Sequence, residues 1–350
     1  MATKFREKLK KNWFTIVTLS VSAAILFVFL ISNNGLSTLA GIVAELQTGW
    51  LILTLLAVAA GWLLEGFVLH LIIRHVWKDK SWRYGKSYHV AAIGLLYSAL
   101  TPSATGGQPM QIVTMHGMGM DTGVACSAIA VKTLTYQIVM VFYALLMVVM
   151  KLKYFQTNVS NFSFLTVIGL LGNSLFIALV FLSMVSEKGT DRILRWGLRA
   201  ACRLKICRQP KERYEKIHSQ LELFHDASKL MGRSGRLYLV TALLTVAQIT
   251  LNSLIPFLIY RSFGLRGAPV TTMIAAQVFV AMVSAFVPLP GASGGAEACF
   301  YVFFGAYFKN TIWAAVFIWR VLTYYFNILF GSVSAYRGSR YRKRLKDGKT

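Results

Sequence analysis

Two short stretches of this chain share a pattern suited to holding an anion. Pro102-Ser-Ala-Thr-Gly106-Gly107 and Pro290-Gly-Ala-Ser-Gly294-Gly295 both read Pro-x-Ala-[Ser/Thr]-Gly-Gly, 188 positions apart. A glycine pair after proline lets the backbone turn sharply and brings N–H groups close to a ligand. Such a nest, or the helix N-terminus behind it, favours groups such as phosphate. The same offset carries Lys132 onto Arg320, and Lys132-Thr-Leu-Thr-Tyr136-Gln matches Arg320-Val-Leu-Thr-Tyr324-Tyr. Two six-residue matches at one gapless offset describe an internal repeat.

Around these positions stand further candidates for a polar lipid site. Ser103, Thr105, Ser293, Gln108 and Gln111 supply neutral donors, and Tyr136 and Tyr324 could close a cavity. Glu297 follows the second glycine pair and could face a cationic headgroup or neutralise Arg320. Glu65 could pair with Lys132. Two structural readings stand beside these. The glycines also suit close helix packing, and the four charges also suit structural ion pairs. The six histidines show no metal-ligand spacing, and Cys126, Cys202, Cys207 and Cys299 set no disulfide framework. No catalytic constellation, metal or cofactor is expected.

The elements that must position these residues are apolar. Hydrophobic residues make up 56% of 350 and charged residues only 14%, against about 25% in ordinary soluble domains. Yet 37 Lys+Arg against 13 Asp+Glu give a net charge of +24. That combination excludes a soluble domain and a disordered basic tail. It predicts an all-α polytopic membrane protein with its basic charge in a few loops. Full spans are expected at Trp13–Ile31, Trp50–Ile73, Val124–Met150, Phe162–Ser186, Leu237–Tyr260 and Asn310–Tyr336. Ser87–Leu100 is too short to cross alone and runs into the Gly/Pro-rich loop Thr101–Pro109. Gly267–Ala296 is uncharged but broken by Pro288, Pro290 and glycines.

Charge orients the chain. Thirty of the 37 basic residues fall in the N-terminus, Arg74–Lys86, Glu187–Arg236 and Arg337–Thr350, so these regions should be cytoplasmic. Crossing parity then makes 87–123 and 267–309 re-entrant hairpins of opposite orientation, or else pairs of thin spans. The expected organisation is a basic cytoplasmic N-terminus (1–12), membrane half 1 (13–186), a cytoplasmic amphipathic loop (187–236), membrane half 2 (237–336) and a basic tail (337–350). Within the loop, Asp191–Ile206 and Pro210–Met231 read as basic amphipathic helices suited to an anionic membrane surface. Lys132 and Arg320 lie roughly 13–16 Å into their spans at 1.5 Å per residue, near the midplane, where charge is costly and functional or paired. An inverted-topology repeat with broken segments at matching positions points to a midplane binding site.

At these residues the chain resembles the flippase-like membrane region of the lysylphosphatidylglycerol synthase family, the multiple peptide resistance factors. The family's Pro-Ser/Phe-x-x-Gly-Gly-x-Pro-x-Gln loop is met by Thr101–Gln111, and its Pro-Gly-x-x-Gly-x-x-Glu loop by Pro290–Glu297. The resemblance implies outward movement of an aminoacylated phospholipid in a bacterial plasma membrane, and resistance to cationic antimicrobial peptides. Full family proteins carry a C-terminal transferase domain that charges phosphatidylglycerol with lysine. This chain ends about fourteen residues after its last span, so no transferase is expected in it. The partners expected are a phospholipid (phosphatidylglycerol or lysylphosphatidylglycerol), the anionic membrane surface, a soluble lipid-modifying synthase and an oligomer of the chain, with no specific nucleic acid. The competing readings are a phosphatidylglycerol lysyltransferase, alone or with a soluble partner, and a small-solute transporter.

Overall fold

Long apolar runs and short broken ones fold differently in this protein. The computed structural model describes residues 45–77, 79, 81–159, 162–192, 196, 210–232 and 234–346. The expected span Trp13–Ile31, the N-terminus and most of the amphipathic stretch Asp191–Ile206 lie outside the described residues. Those described form helices: α1 (Thr48–Val76), α2 (Tyr84–Leu100), α3 (Gly107–His116), α4 (Thr122–Asn158), α5 (Phe162–Val185), α6 (Pro210–Gly232), α7 (Gly235–Ser262), α8 (Val270–Ser284), α9 (Gly295–Phe308), α10 (Ile312–Arg320) and α11 (Phe326–Lys346).

Thr48–Val76, Thr122–Thr157, Gly235–Ser262 and the run Gly295–Gly338 are long and apolar enough to cross a bilayer. Apolar side chains on α1, α4 and α5 face outward, as lipid contact requires. Leu56 on α1, Phe142 and Val149 on α4, and Leu171 and Leu182 on α5 are all exposed. The chain is therefore a multi-pass, all-α membrane protein.

The broken runs become two helical hairpins, α2–α3 and α8–α9, whose arms are 10 to 17 residues long. Each has its own apolar packing. The first centres on Leu69, Ile72, Trp82 and Met115, the second on Phe279, Phe300, Phe304 and Phe308. In the first hairpin the arms close on glycine. A Cβ at Gly107 would lie 2.0 Å from Ser98 Oγ and 2.9 Å from the Gly94 carbonyl oxygen, so a larger residue would push the helices apart.

Two boundaries and the surroundings of one helix differ from expectation. The loop drawn as Thr101–Pro109 stops at Gly106, and α3 begins at Gly107. Pro109 fits the first turn of a helix, where its missing N–H has no partner to lose. The last span is interrupted directly after Arg320 by a π-helical turn, Val321–Tyr325, of the kind found at functional positions. Helix α6 packs on α4 through Phe224, Ala227 and Met231. Its Ser228 hydroxyl meets Ser127 at 2.8 Å, and Gln220 Oε1 accepts the Gly123 N–H at 3.0 Å. That face of α6 is thus taken by protein.

Candidate functional site

The two glycine-pair loops repeat in backbone geometry as far as the glycine pair, where they part: Gly106 has φ of −83° and Gly294 of 85°. Ser103 and Ala104 have φ of 48° and 56°; Gly291 and Ala292, at the same offset, have 59° and 53°. Ala104 N donates to Thr101 O (3.2 Å) as Ala292 N does to Leu289 O (2.9 Å), and Thr105 N donates to Pro102 O (3.1 Å) as Ser293 N does to Pro290 O (3.2 Å). The hydroxyls agree: Thr105 Oγ1 donates to Pro102 O and Ser293 Oγ to Pro290 O. Each loop is a left-handed double step followed by a helix that starts at the second glycine, Gly107 or Gly295.

The loops also touch. Pro102 and Pro290 pair as an antiparallel bridge. Ser103 Oγ reaches Val287 O at 3.4 Å, and Tyr324 Oη donates to Ala99 O at 3.2 Å. Repeat-related segments far apart in sequence thus meet at their tips.

A left-handed conformation costs a non-glycine residue roughly 1–2 kcal/mol, so surrounding bonds must hold it. In the second loop the holder is Arg320. Its Nη1 donates to Gly291 O at 2.9 Å and its Nη2 to Ala292 O at 3.4 Å. Its Nε lies 2.7 Å from Glu297 Oε1. Glu297 Oε2 accepts the Gly294 N–H at 2.6 Å. Both side chains are buried, at 5% and 1% exposure. At the matching place in the first loop, Thr101 Oγ1 accepts the Gly106 N–H at 2.8 Å. The first N–H of each glycine pair is therefore satisfied within the protein.

Lys132 is bound differently from its repeat partner. It forms a short ion pair with Glu65 on α1, and Gln248 Nε2 donates to the other oxygen, Glu65 Oε2, at 2.7 Å. The two basic residues repeat; their acidic partners do not. Tyr136 packs in the apolar cluster around the second hairpin.

Two cavities lie among these helices. A groove of about 660 Å³ runs beside the first loop. Ser103, Thr105, Gln108, Thr133, Gln137 and Asn173 give it a polar strip, and Ile112, Ile129, Phe176, Val180, Phe224 and Phe286 give it an apolar wall. Gln111 is not among these residues. It is buried in the hairpin seam against Gly94. The second cavity, about 210 Å³, lies on the Glu65 side, with Gln248, Asn252, Gln277, Trp319, Thr323 and Asn327 in its wall. Sequence reasoning passed over those six. The usable signal was polar residues at i, i+4 in otherwise apolar spans, Gln248 with Asn252 and Thr323 with Asn327.

Residues 15–331 match the family described as the lysylphosphatidylglycerol synthase TM region. The chain belongs to that family. A relative, the UPF0104 membrane protein of Archaeoglobus fulgidus, is 25% identical over 294 residues, which cover 82% of this chain and 87% of the relative. The matched region takes in both loops, Lys132 and Arg320. Among the described residues, no group of three or more His, Cys, Asp or Glu could hold a metal ion.

Proposed function

We propose that the chain is a lipid translocator that carries a phospholipid headgroup between leaflets, with an aminoacylated phospholipid such as lysylphosphatidylglycerol as substrate. The observation that carries this reading is the contact of two repeat-related loops at Pro102 and Pro290, beside a groove with a polar strip and an apolar wall. In such a groove the headgroup rides the hydroxyls and amides of Ser103, Thr105 and Gln108, and the acyl chains stay in lipid. The two hairpins enter from opposite faces, as the basic loops indicate, and the contact between their loops opens and closes as the halves rock.

The two ion pairs suit a headgroup bearing both charges. Phosphate can replace a carboxylate on Lys132 or Arg320, and ammonium can replace a basic side chain on Glu65 or Glu297. Exchange of partners avoids leaving a buried charge bare, the costly step in such a path. Outward delivery of the lysylated lipid would make the outer leaflet less negative and weaken attraction of cationic antimicrobial peptides. Cytoplasmic placement of both termini and a bacterial plasma membrane complete the reading.

The test is outer-leaflet aminolipid, measured with an impermeant amine reagent on vesicles holding the purified protein and lysylphosphatidylglycerol. Wild type should speed exposure of the lipid. Arg320→Ala and Glu297→Ala should lose that activity while remaining in the membrane. Unchanged exposure in both variants would remove this site from the mechanism.

A further inference from the structure

The smaller cavity has a chemistry of its own. Its wall carries four carboxamides, Gln248, Asn252, Gln277 and Asn327, and two indoles, Trp62 and Trp319. A carboxamide offers two donors and an acceptor, and an indole one donor. The one charge in the wall, Glu65, is already engaged by Lys132 and Gln248. The cavity is thus polar yet electrically neutralised. It favours a ligand without net charge over a bare ammonium or phosphate.

Two polar atoms in this wall lack partners. Gln277 Oε1, an acceptor, and Trp319 Nε1, a donor, are buried without a hydrogen bond, on side chains 9% and 5% exposed. Unpaired buried polar groups are rare and costly, and each calls for an explanation. A hydroxyl both donates and accepts, so hydroxyl groups answer both needs at once. Other wall groups are held rigid by neighbours. Trp62 Nε1 donates to Asn327 Oδ1 at 2.6 Å, and Asn327 Nδ2 donates to Thr323 O at 2.6 Å. Trp62 is also stacked on Phe330 at 4.4 Å. A volume of about 210 Å³ equals roughly seven waters at ~30 Å³ each, enough for a small polyol or one sugar ring and too little for a lipid with its chains.

We infer that this chamber is a second binding site, selective for an uncharged, hydroxyl-rich group such as a glycerol or hexose unit. The unit could belong to a lipid headgroup or to a free polyol. The site does not require the translocation reading: its wall shares no residue with the groove, and the only group common to both readings is Glu65, which in this chamber stays paired with Lys132.

The test uses the full-length protein in phosphatidylcholine nanodiscs, read by tryptophan fluorescence and by thermal unfolding. Four probes are titrated: free glycerol, free glucose, monoglucosyl-diacylglycerol and tetramethylammonium. A saturable response to glycerol or glucose assigns a free polyol. A response to the glycolipid alone assigns a lipid headgroup. Either result supports the site if Gln277→Leu and, separately, Asn252→Leu weaken the response at least tenfold. Asn252→Leu covers the case in which the first variant does not fold. The inference is overturned by no saturable response to any hydroxylated probe, by an equal response to tetramethylammonium, or by full response in folded variants.

Discussion

Arg320 Nε lies 2.7 Å from Glu297 Oε1, and the same guanidinium holds the carbonyls of Gly291 and Ala292. One side chain thus fixes a left-handed turn and neutralises the carboxylate that caps the following helix. Arg320 is a structural staple as well as a candidate ligand for phosphate.

Breaking this pair should be more harmful than removing it. Loss of one partner from a buried pair costs about 3–5 kcal/mol, whereas apolar replacement of both is often close to neutral. Arg320→Met should therefore lower the unfolding temperature in detergent more than Arg320→Met combined with Glu297→Leu. Arg320→Lys should rescue little, because an ammonium cannot present the guanidinium's planar fork to the carboxylate and both carbonyls.

Lys132 and Glu65 should tolerate exchange. Their side chains are 13% and 15% exposed, and Gln248 donates to the carboxylate. Either single charge reversal sets like charges together in a low-dielectric site and should abolish membrane accumulation. The double reversal Lys132→Glu with Glu65→Lys should restore a substantial part of it, measured as folded protein by size-exclusion fluorescence.

Gly291 should be the least replaceable glycine of the second loop. Its φ is 59°, and an added Cβ would lie 2.1 Å from Tyr324 Cε2. The left-handed penalty and the overpacking together predict a loss of about 2–5 kcal/mol for Gly291→Ala. Gly232→Ala, with open space around it, is the control and should melt within about a degree or two of wild type, since surface changes stay within roughly 0.5 kcal/mol.

Helix α6 should come away from α4 when their contact is filled. A Cβ at Gly123 would lie 2.1 Å from the Gln220 carbonyl oxygen, a backbone atom that cannot swing aside. Gly123→Val should speed limited proteolysis between residues 210 and 232, with little change in the cleavage of α7.

The repeat was legible because proline, glycine and an intramembrane base are rare enough for a fixed offset to stand out. That the matched segments are broken helices followed from their length and glycine content. The acidic partners were not legible as a repeat, since Glu65 comes from α1 and Glu297 from the loop's own helix. The glycine-pair nests read as open anion sites. In the fold their first N–H groups are taken by Thr101 and Glu297, a capping choice that depends on side-chain reach rather than pattern. Gln277 and Trp319 were missed for another reason. Neither has an i, i+4 partner of its own kind, and only the packing of α8 and α10 on α7 brings them to one wall. The π turn after Arg320 has no local sequence signal of the strength that Pro or Gly-Gly gives.

The central claim is that the loop junction moves while lipid crosses. Pro102 and Pro290 form an antiparallel bridge. Paired strand positions stand about 4.5–5.5 Å apart between Cα atoms, within disulfide reach. Pro102→Cys with Pro290→Cys, built in a chain whose four native cysteines are replaced by alanine, should cross-link on mild oxidation. In vesicles, the oxidised protein should stop exposing lysylphosphatidylglycerol on the outer leaflet, and reductant should restore the wild-type rate. Undiminished lipid exposure at complete cross-linking would contradict the account.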